Sequence, residues 1–190
     1  MKIALFSGSF DPIHTGHAMV ANYISQYCGI DQVWLMPSPL NPLKAGTKPA
    51  DEEDRLEMCR IIAGKCTGVE VSDFEFSLPR PSFTYRTLSL LKDKFPEHSF
   101  FPVIGSDNWL LFDKWKNHAE IIKEFEILIY PRPGFDIQSE LPSTVRLLKD
   151  APQVLLSSTF IRKGLREGKN MNFFLDPEVM AYIKNHSLYE

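Results

Sequence analysis

The chain has 190 residues, 44% of them hydrophobic and 24% charged, with a formal net charge of −3. That length suits a single domain, 1–190, with an ordinary core, and an acidic balance without a basic stripe argues against a nucleic-acid partner. No apolar stretch approaches the roughly 18 residues of a membrane span, and no signal-peptide pattern opens the chain, so no membrane association is expected.

The first run, Lys2-Ile3-Ala4-Leu5-Phe6, is short, β-prone and almost uncharged, as a buried parallel strand should be. Small residues follow at Ser7, Gly8 and Ser9, then a turn pair at Asp11-Pro12, then a helical pattern over 15–27. Apolar, β-prone runs recur at 32–37, 69–72, 99–104, 126–130 and 153–156. Helical patterns lie at 50–64, 84–94, 106–112, 117–123, 159–167 and 176–185. The segment 134–150 is polar, contains Pro142, and reads as a loop with a short helix outside the sheet. Strands alternating with helices predict an α/β fold, a single doubly wound, Rossmann-like parallel sheet with helices at its C-terminal end. Ligands of such sheets bind beyond the carboxyl ends of the strands, at the topological switch point. Cys28, Cys59 and Cys66 are odd in number and lack metal-ligand spacing, so they read as reduced thiols of a cytoplasmic protein.

The loops behind the strands carry the chemistry. A strand feeding the small residues Gly8 and Ser9 and then a helix start is a ready anion site, because backbone N–H groups and the helix dipole both favour negative charge. His14 and His17 flank that start three residues apart, so both rings can face one anion. Phe10 stands where the dinucleotide fingerprint has its second glycine, which argues against a nicotinamide or flavin dinucleotide cofactor. The proline-rich stretch 37–44 ends in Lys44, placed to reach over a phosphate. In Ser82-Phe83-Thr84-Tyr85, either Ser82 or Thr84 can serve as the N-cap of the next helix. Gly105, at a strand end, lets a ligand approach the backbone, and Asp107 can accept from a ribose hydroxyl. Trp109 is expected in the core. Ser157, Ser158 and Thr159 with Arg162 form a second anion site at a helix start.

His14-Thr15-Gly16-His17 resembles the signature of the nucleotidyltransferase superfamily, and Leu156-Ser157-Ser158-Thr159-Phe160-Ile161-Arg162 is similar to its second phosphate motif. Ser82, Thr84, Thr87 and Leu88, the Asp107 to Trp115 spacing, and Arg132-Pro133-Gly134 resemble the nicotinate mononucleotide adenylyltransferases over nearly the whole chain. Asn41 and Leu43 depart from that family's Pro-Pro-His-Lys, and Phe83 and Arg86 replace its Tyr and Asp.

The resemblance implies transfer of AMP from ATP to nicotinate mononucleotide, with His14, His17, Lys44 and Arg162 as catalytic residues. ATP is expected at Gly8, Ser9, Phe10, His14, His17, Gly105, Asp107, Ser157, Ser158, Thr159 and Arg162. The mononucleotide is expected at Lys44, Asp107 and Arg132, with its carboxylate on the backbone N–H groups of Thr84 and Tyr85 and its ring against Trp115. No carboxylate cluster reads as a metal site, so Mg²⁺ is expected to arrive with ATP. A phosphopantetheine adenylyltransferase-like enzyme and a non-catalytic ATP-binding module remain as alternatives, and a class I aminoacyl-tRNA synthetase is disfavoured by length. The oligomeric state, a homo-oligomer included, is left open by the sequence.

Overall fold

The computed structural model describes residues 1–39 and 50–189. In chain order it contains β1 (Lys2–Gly8), α1 (Thr15–Tyr27), β2 (Gln32–Pro37), α2 (Glu52–Ala63) and β3 (Val69–Val71). A 3-10 turn (Phe74–Ser77), α3 (Thr84–Lys94), β4 (Ser99–Gly105) and the single turn α4 (Ser106–Trp109) follow. A second 3-10 turn (Phe112–Lys114), α5 (His118–Glu124), β5 (Ile127–Tyr130), β6 (Val145–Leu147), α6 (Ser158–Arg166) and α7 (Pro177–Asn185) complete it. The strands form one parallel sheet in the order β3-β2-β1-β4-β5-β6. The chain therefore winds outward from β1 to one edge, returns to β4 and winds to the other. The switch point lies between the carboxyl ends of β1 and β4, at Gly8 and Gly105.

Strand side chains alternate between two cores. Ala4, Phe6, Val33, Leu35, Val103 and Leu128 pack with apolar residues of α1, α2, α6 and α7, including Ile24, Met58, Ile161 and Val179. Their neighbours Ile3, Leu5, Ile104, Ile127 and Ile129 pack with Leu88 and Leu91 of α3 and Ile121 of α5 on the opposite face. This is why β1 reads as a continuous apolar run rather than an alternating one. Capping fixes helix starts in register: Ser157 Oγ accepts from Phe160 N at 3.2 Å, and Asp176 Oδ1 accepts from Glu178 N at 2.9 Å ahead of Pro177.

Three expectations are corrected. Segment 134–150 is not wholly outside the sheet, because Val145–Leu147 is the edge strand β6, paired with β5. Three residues with only Val145 buried carry too little periodicity to be seen in sequence. Residues 153–156 form no strand; Leu156 N donates to Val154 O at 3.1 Å in a tight turn, and Leu155 is 88% exposed. Their apolar character serves a cavity wall rather than a sheet. The expected 106–112 helix is a single turn followed by a separate 3-10 turn.

Candidate active site

The β1 loop turns sharply because Phe10 adopts a left-handed φ of 44° and is 1% exposed. Its ring lies edge-on to Phe6 at 5.5 Å and to His17 at 5.0 Å. A Cβ on Gly8 would stand 3.2 Å from that ring, so Gly8 and Phe10 form one packing unit. Of the residues expected at ATP, Phe10 thus offers only its backbone.

His14, the N-cap of α1, and His17 stack with ring centroids 3.7 Å apart and planes 20° from parallel. The His14 N–H donates to His17 Nδ1 at 3.3 Å, which leaves the proton of neutral His17 on Nε2. His14 Nδ1 is buried without a partner among the described residues. Burial, with the Arg132 charge as the next cause, pushes the His14 pKa down to about 4; burial, His14 and Arg132 depress His17 in the same direction. Both rings are therefore neutral near pH 7, and an arriving anion reverses the bias. Gly16 between them admits nothing larger, since a Cβ would lie 2.9 Å from Val154 Cγ1 and 3.2 Å from the His14 ring.

A cavity of about 470 Å³ opens on this pair, walled by Gly16, Arg132, Pro133, Val154, Leu155 and Ser157. A second, of about 310 Å³, lies over Gly8, Ser38, Gly105, Thr84, Trp115 and Glu75. Phe6 and Tyr130 line both, with rings 5.6 Å apart, and form the wall between them. The second space lies over the switch point itself, at Gly8 and Gly105, and the first lies beside it on the histidine pair.

The expected residues divide only in part: Gly8 and Gly105, expected at ATP, line the second space, Arg132, expected at the mononucleotide, lines the first, and Asp107, Ser158, Thr159 and Arg162 line neither. Asp107 Oδ2 receives Arg132 Nη1 at 3.2 Å, while its Oδ1 is buried and unpartnered among the described residues. Arg132 also donates to Tyr130 Oη at 3.1 Å, so the three side chains brace the ends of β4 and β5. Gly105 is required there, because a Cβ would collide with the Asp107 carboxylate and approach Tyr130 Oη to 3.1 Å. At α3 neither Ser82 nor Thr84 is the N-cap; Phe83 holds that position without a side-chain bond. The two hydroxyl residues line the second cavity instead. Tyr85 points away, its hydroxyl on Glu124 Oε1 at 2.9 Å, so only its backbone N–H faces the helix start. Trp115 lines the second cavity; Trp109 is half-buried against Phe112, 5.1 Å between centroids.

At α6, Ser157 reaches the first cavity as the N-cap, while Ser158 Oγ donates to Pro12 O at 2.9 Å. Arg162 Nη1 donates to Asp11 O at 2.6 Å and Nη2 to Thr159 Oγ1 at 3.4 Å. Arg162 is thus turned onto the β1 loop rather than standing free in the cavity. Lys44 lies outside the described residues. Among those residues no three His, Cys, Asp or Glu side chains gather as metal ligands.

Three buried polar residues went unread in the sequence. Arg55 of α2 is 0% exposed and donates through Nη1 to Ser9 O at 2.7 Å and Ser38 O at 2.8 Å, tying the loops after β1 and β2 together. Glu75 accepts from Thr87 Oγ1 at 3.1 Å, keeps an Oε2 beneath the second cavity without a partner among the described residues, and is pushed up in pKa by burial. Asp11, 5% exposed, accepts from Ala50 N at 3.1 Å. Only Asp11 had a signal, as half of the Asp-Pro turn.

The cytidylyltransferase-like family matches residues 5–164. A Bacteroides thetaiotaomicron protein named probable nicotinate-nucleotide adenylyltransferase is 48% identical over 187 residues, 98% of this chain and 92% of its own. One of the same name from Flavobacterium johnsoniae is 40% identical over 192 residues, spanning all of both chains. The Plasmodium falciparum nicotinic acid mononucleotide adenylyltransferase, solved with NaAD, shares the fold with a TM-score of 0.79 at 22% identity, covering 99% of this chain and 97% of that one. Sheet order, the placement of the histidine pair at the switch point and identity along almost the whole chain agree: this chain belongs to the cytidylyltransferase-like family, among its nicotinate-nucleotide adenylyltransferases.

Proposed function

We infer that the chain transfers the AMP moiety of ATP to nicotinate mononucleotide, giving nicotinate adenine dinucleotide and pyrophosphate, a step of NAD biosynthesis. The observation that carries this reading is the pair of cavities sharing the Phe6–Tyr130 wall at the carboxyl ends of β1 and β5, with the stacked histidines on one side. ATP occupies the histidine side, and the mononucleotide takes the side lined by Thr84 and Trp115.

The mononucleotide phosphate, largely dianionic near pH 7 because its second pKa is about 6, attacks the α-phosphorus of ATP in line. The new P–O bond forms as the bond to pyrophosphate breaks, so no general base is needed. The chain's part is positioning and stabilising charge. His17 offers its Nε2–H to the transferring group and His14 the adjoining ring; on binding phosphate both gain basicity. Arg162 and the α6 start at Ser157–Thr159 serve the polyphosphate, and Lys44 is assigned to the same charge. Asp107 is assigned to a ribose hydroxyl, Trp115 stacks on the pyridine ring, and the free N–H groups at the start of α3 receive the nicotinate carboxylate. Mg²⁺ arriving with ATP would supply further charge neutralisation at the phosphates. The free thiols of Cys28, Cys59 and Cys66 support a cytoplasmic setting.

The test is pyrophosphate release from ATP and Mg²⁺ with nicotinate mononucleotide, nicotinamide mononucleotide and phosphopantetheine in parallel. Preference for the nicotinate acid supports the reading. Preference for phosphopantetheine would overturn the roles of Thr84 and Trp115 and keep the phosphate chemistry.

A further inference from the structure

Asp11 is surrounded by three parts of the fold that lie far apart in sequence. Its Oδ1 accepts from Ala50 N at 3.1 Å, just ahead of α2, and from Tyr189 Oη at 2.8 Å, in the turn behind α7. Its Oδ2 lies 3.5 Å from Arg162 Nη1, and its backbone oxygen accepts from the same nitrogen at 2.6 Å. The neighbouring Pro12 O is held by Ser158. The β1 loop, the start of α6 and the start of α2 are thus set in register on one buried carboxylate. Tyr189 reaches that carboxylate from 178 positions away in sequence, and its backbone holds a left-handed φ of 67°. Such a conformation in a bulky residue persists where the surroundings enforce it. Desolvation by burial and the Asp11 carboxylate both push the hydroxyl's pKa up, so it stays a donor.

We propose that Tyr189 is a positioning residue for the nucleotide half of the site: its hydroxyl fixes the Asp11 carboxylate, and through it the Arg162 guanidinium and the phosphate-facing ends of the β1 loop and α6. The inference rests on the assignment of ATP to the histidine side. Without the hydroxyl, Asp11 Oδ1 keeps, among the described residues, the Ala50 N–H alone, and the loop that orients Arg162 gains freedom. The mononucleotide cavity shares none of these bonds and should not notice.

Tyr189→Phe keeps the ring and its packing and removes one hydrogen bond to a charged acceptor. ATP affinity, measured calorimetrically with Mg²⁺ and no mononucleotide, should weaken about tenfold, the usual weight of such a bond. The KM for nicotinate mononucleotide should stay within about twofold. In an Arg162→Lys background the same change should add less than about twofold, since both act through one contact. An unchanged ATP affinity, additive effects in that cycle, or a parallel rise in both KM values would overturn the positioning role. Failure of the wild type to bind ATP would overturn the nucleotide assignment itself, and wild-type binding without turnover would overturn only the reaction.

Discussion

Acidification should destabilise this protein through His14, and the loss can be sized. The ring is 3% exposed, and burial lowers its pKa from 6.5 to about 4. Between those values the unfolded chain binds a proton that the folded chain refuses, so stability is complete above pH 6.5 and falls as pH drops toward 4. The full swing is about 3 kcal/mol, from a gap of about 2.5 pKa units at 1.36 kcal/mol each. Most of it, about 2.5 kcal/mol, is already lost at pH 4.5. Glu75, raised by burial, works in the opposite sense, but it is common to the wild type and a His14→Asn variant and cancels between them. Urea unfolding of both proteins at pH 7.0 and 4.5 gives the comparison. The wild type should lose about 2 kcal/mol more than the variant on acidification. Equal losses would mean that His14 is not held neutral, and the account of rings that gain basicity only when phosphate arrives would fall with it.

Other perturbations separate chemistry from scaffold. His17→Ala should lower kcat by about two to three decades with a near-normal thermal transition, since it removes one preorganised donor; a mutant within tenfold of wild type, in the pyrophosphate-release assay, would remove His17 from the mechanism. Trp115→Ala should raise the KM for nicotinate mononucleotide about tenfold and spare that for ATP, which steady-state kinetics with each substrate varied in turn will check. Gly105→Ala forces a methyl onto Asp107 and Tyr130 and should cost about 1–3 kcal/mol by denaturant titration. Arg55→Met strips a donor from two loop carbonyls and should cost about 3 kcal/mol or more by the same titration, an amount that a mere surface arginine would not match.

What sequence reveals here depends on how local each signal is. β1, α1, β2 and α3 were legible because an apolar run or a 3.6-residue period is written in consecutive positions. The loops at the starts of α1 and α6 were legible as loops next to helix starts because His14, His17, Ser157 and Arg162 lie in short motifs there. Residues 153–156 misled because a cavity wall and a buried strand ask for the same apolar side chains. β6 was missed because its pairing with β5 is dictated by the edge of the sheet rather than by its own three residues. Arg55, Glu75 and Tyr189 gave no warning, since the partners that define them are 12 to 178 positions away. Arg162 was placed in the right helix start, yet its engagement with Asp11 belongs to tertiary contact alone.

The shared wall of Phe6 and Tyr130 bears on how the reaction ends. With one reactant assigned to each cavity, as proposed, either could settle on its own side of the two rings without waiting for the other, because neither cavity needs the other's ligand to form its walls. A dinucleotide joined from them would straddle the partition and be gripped on both sides, so its two halves would have to let go together. One half released while the other is held stays at high local concentration and rebinds. On the proposed assignment, the partition that lets substrates enter separately would hold the product longest, and would set it against fresh ATP and mononucleotide at once.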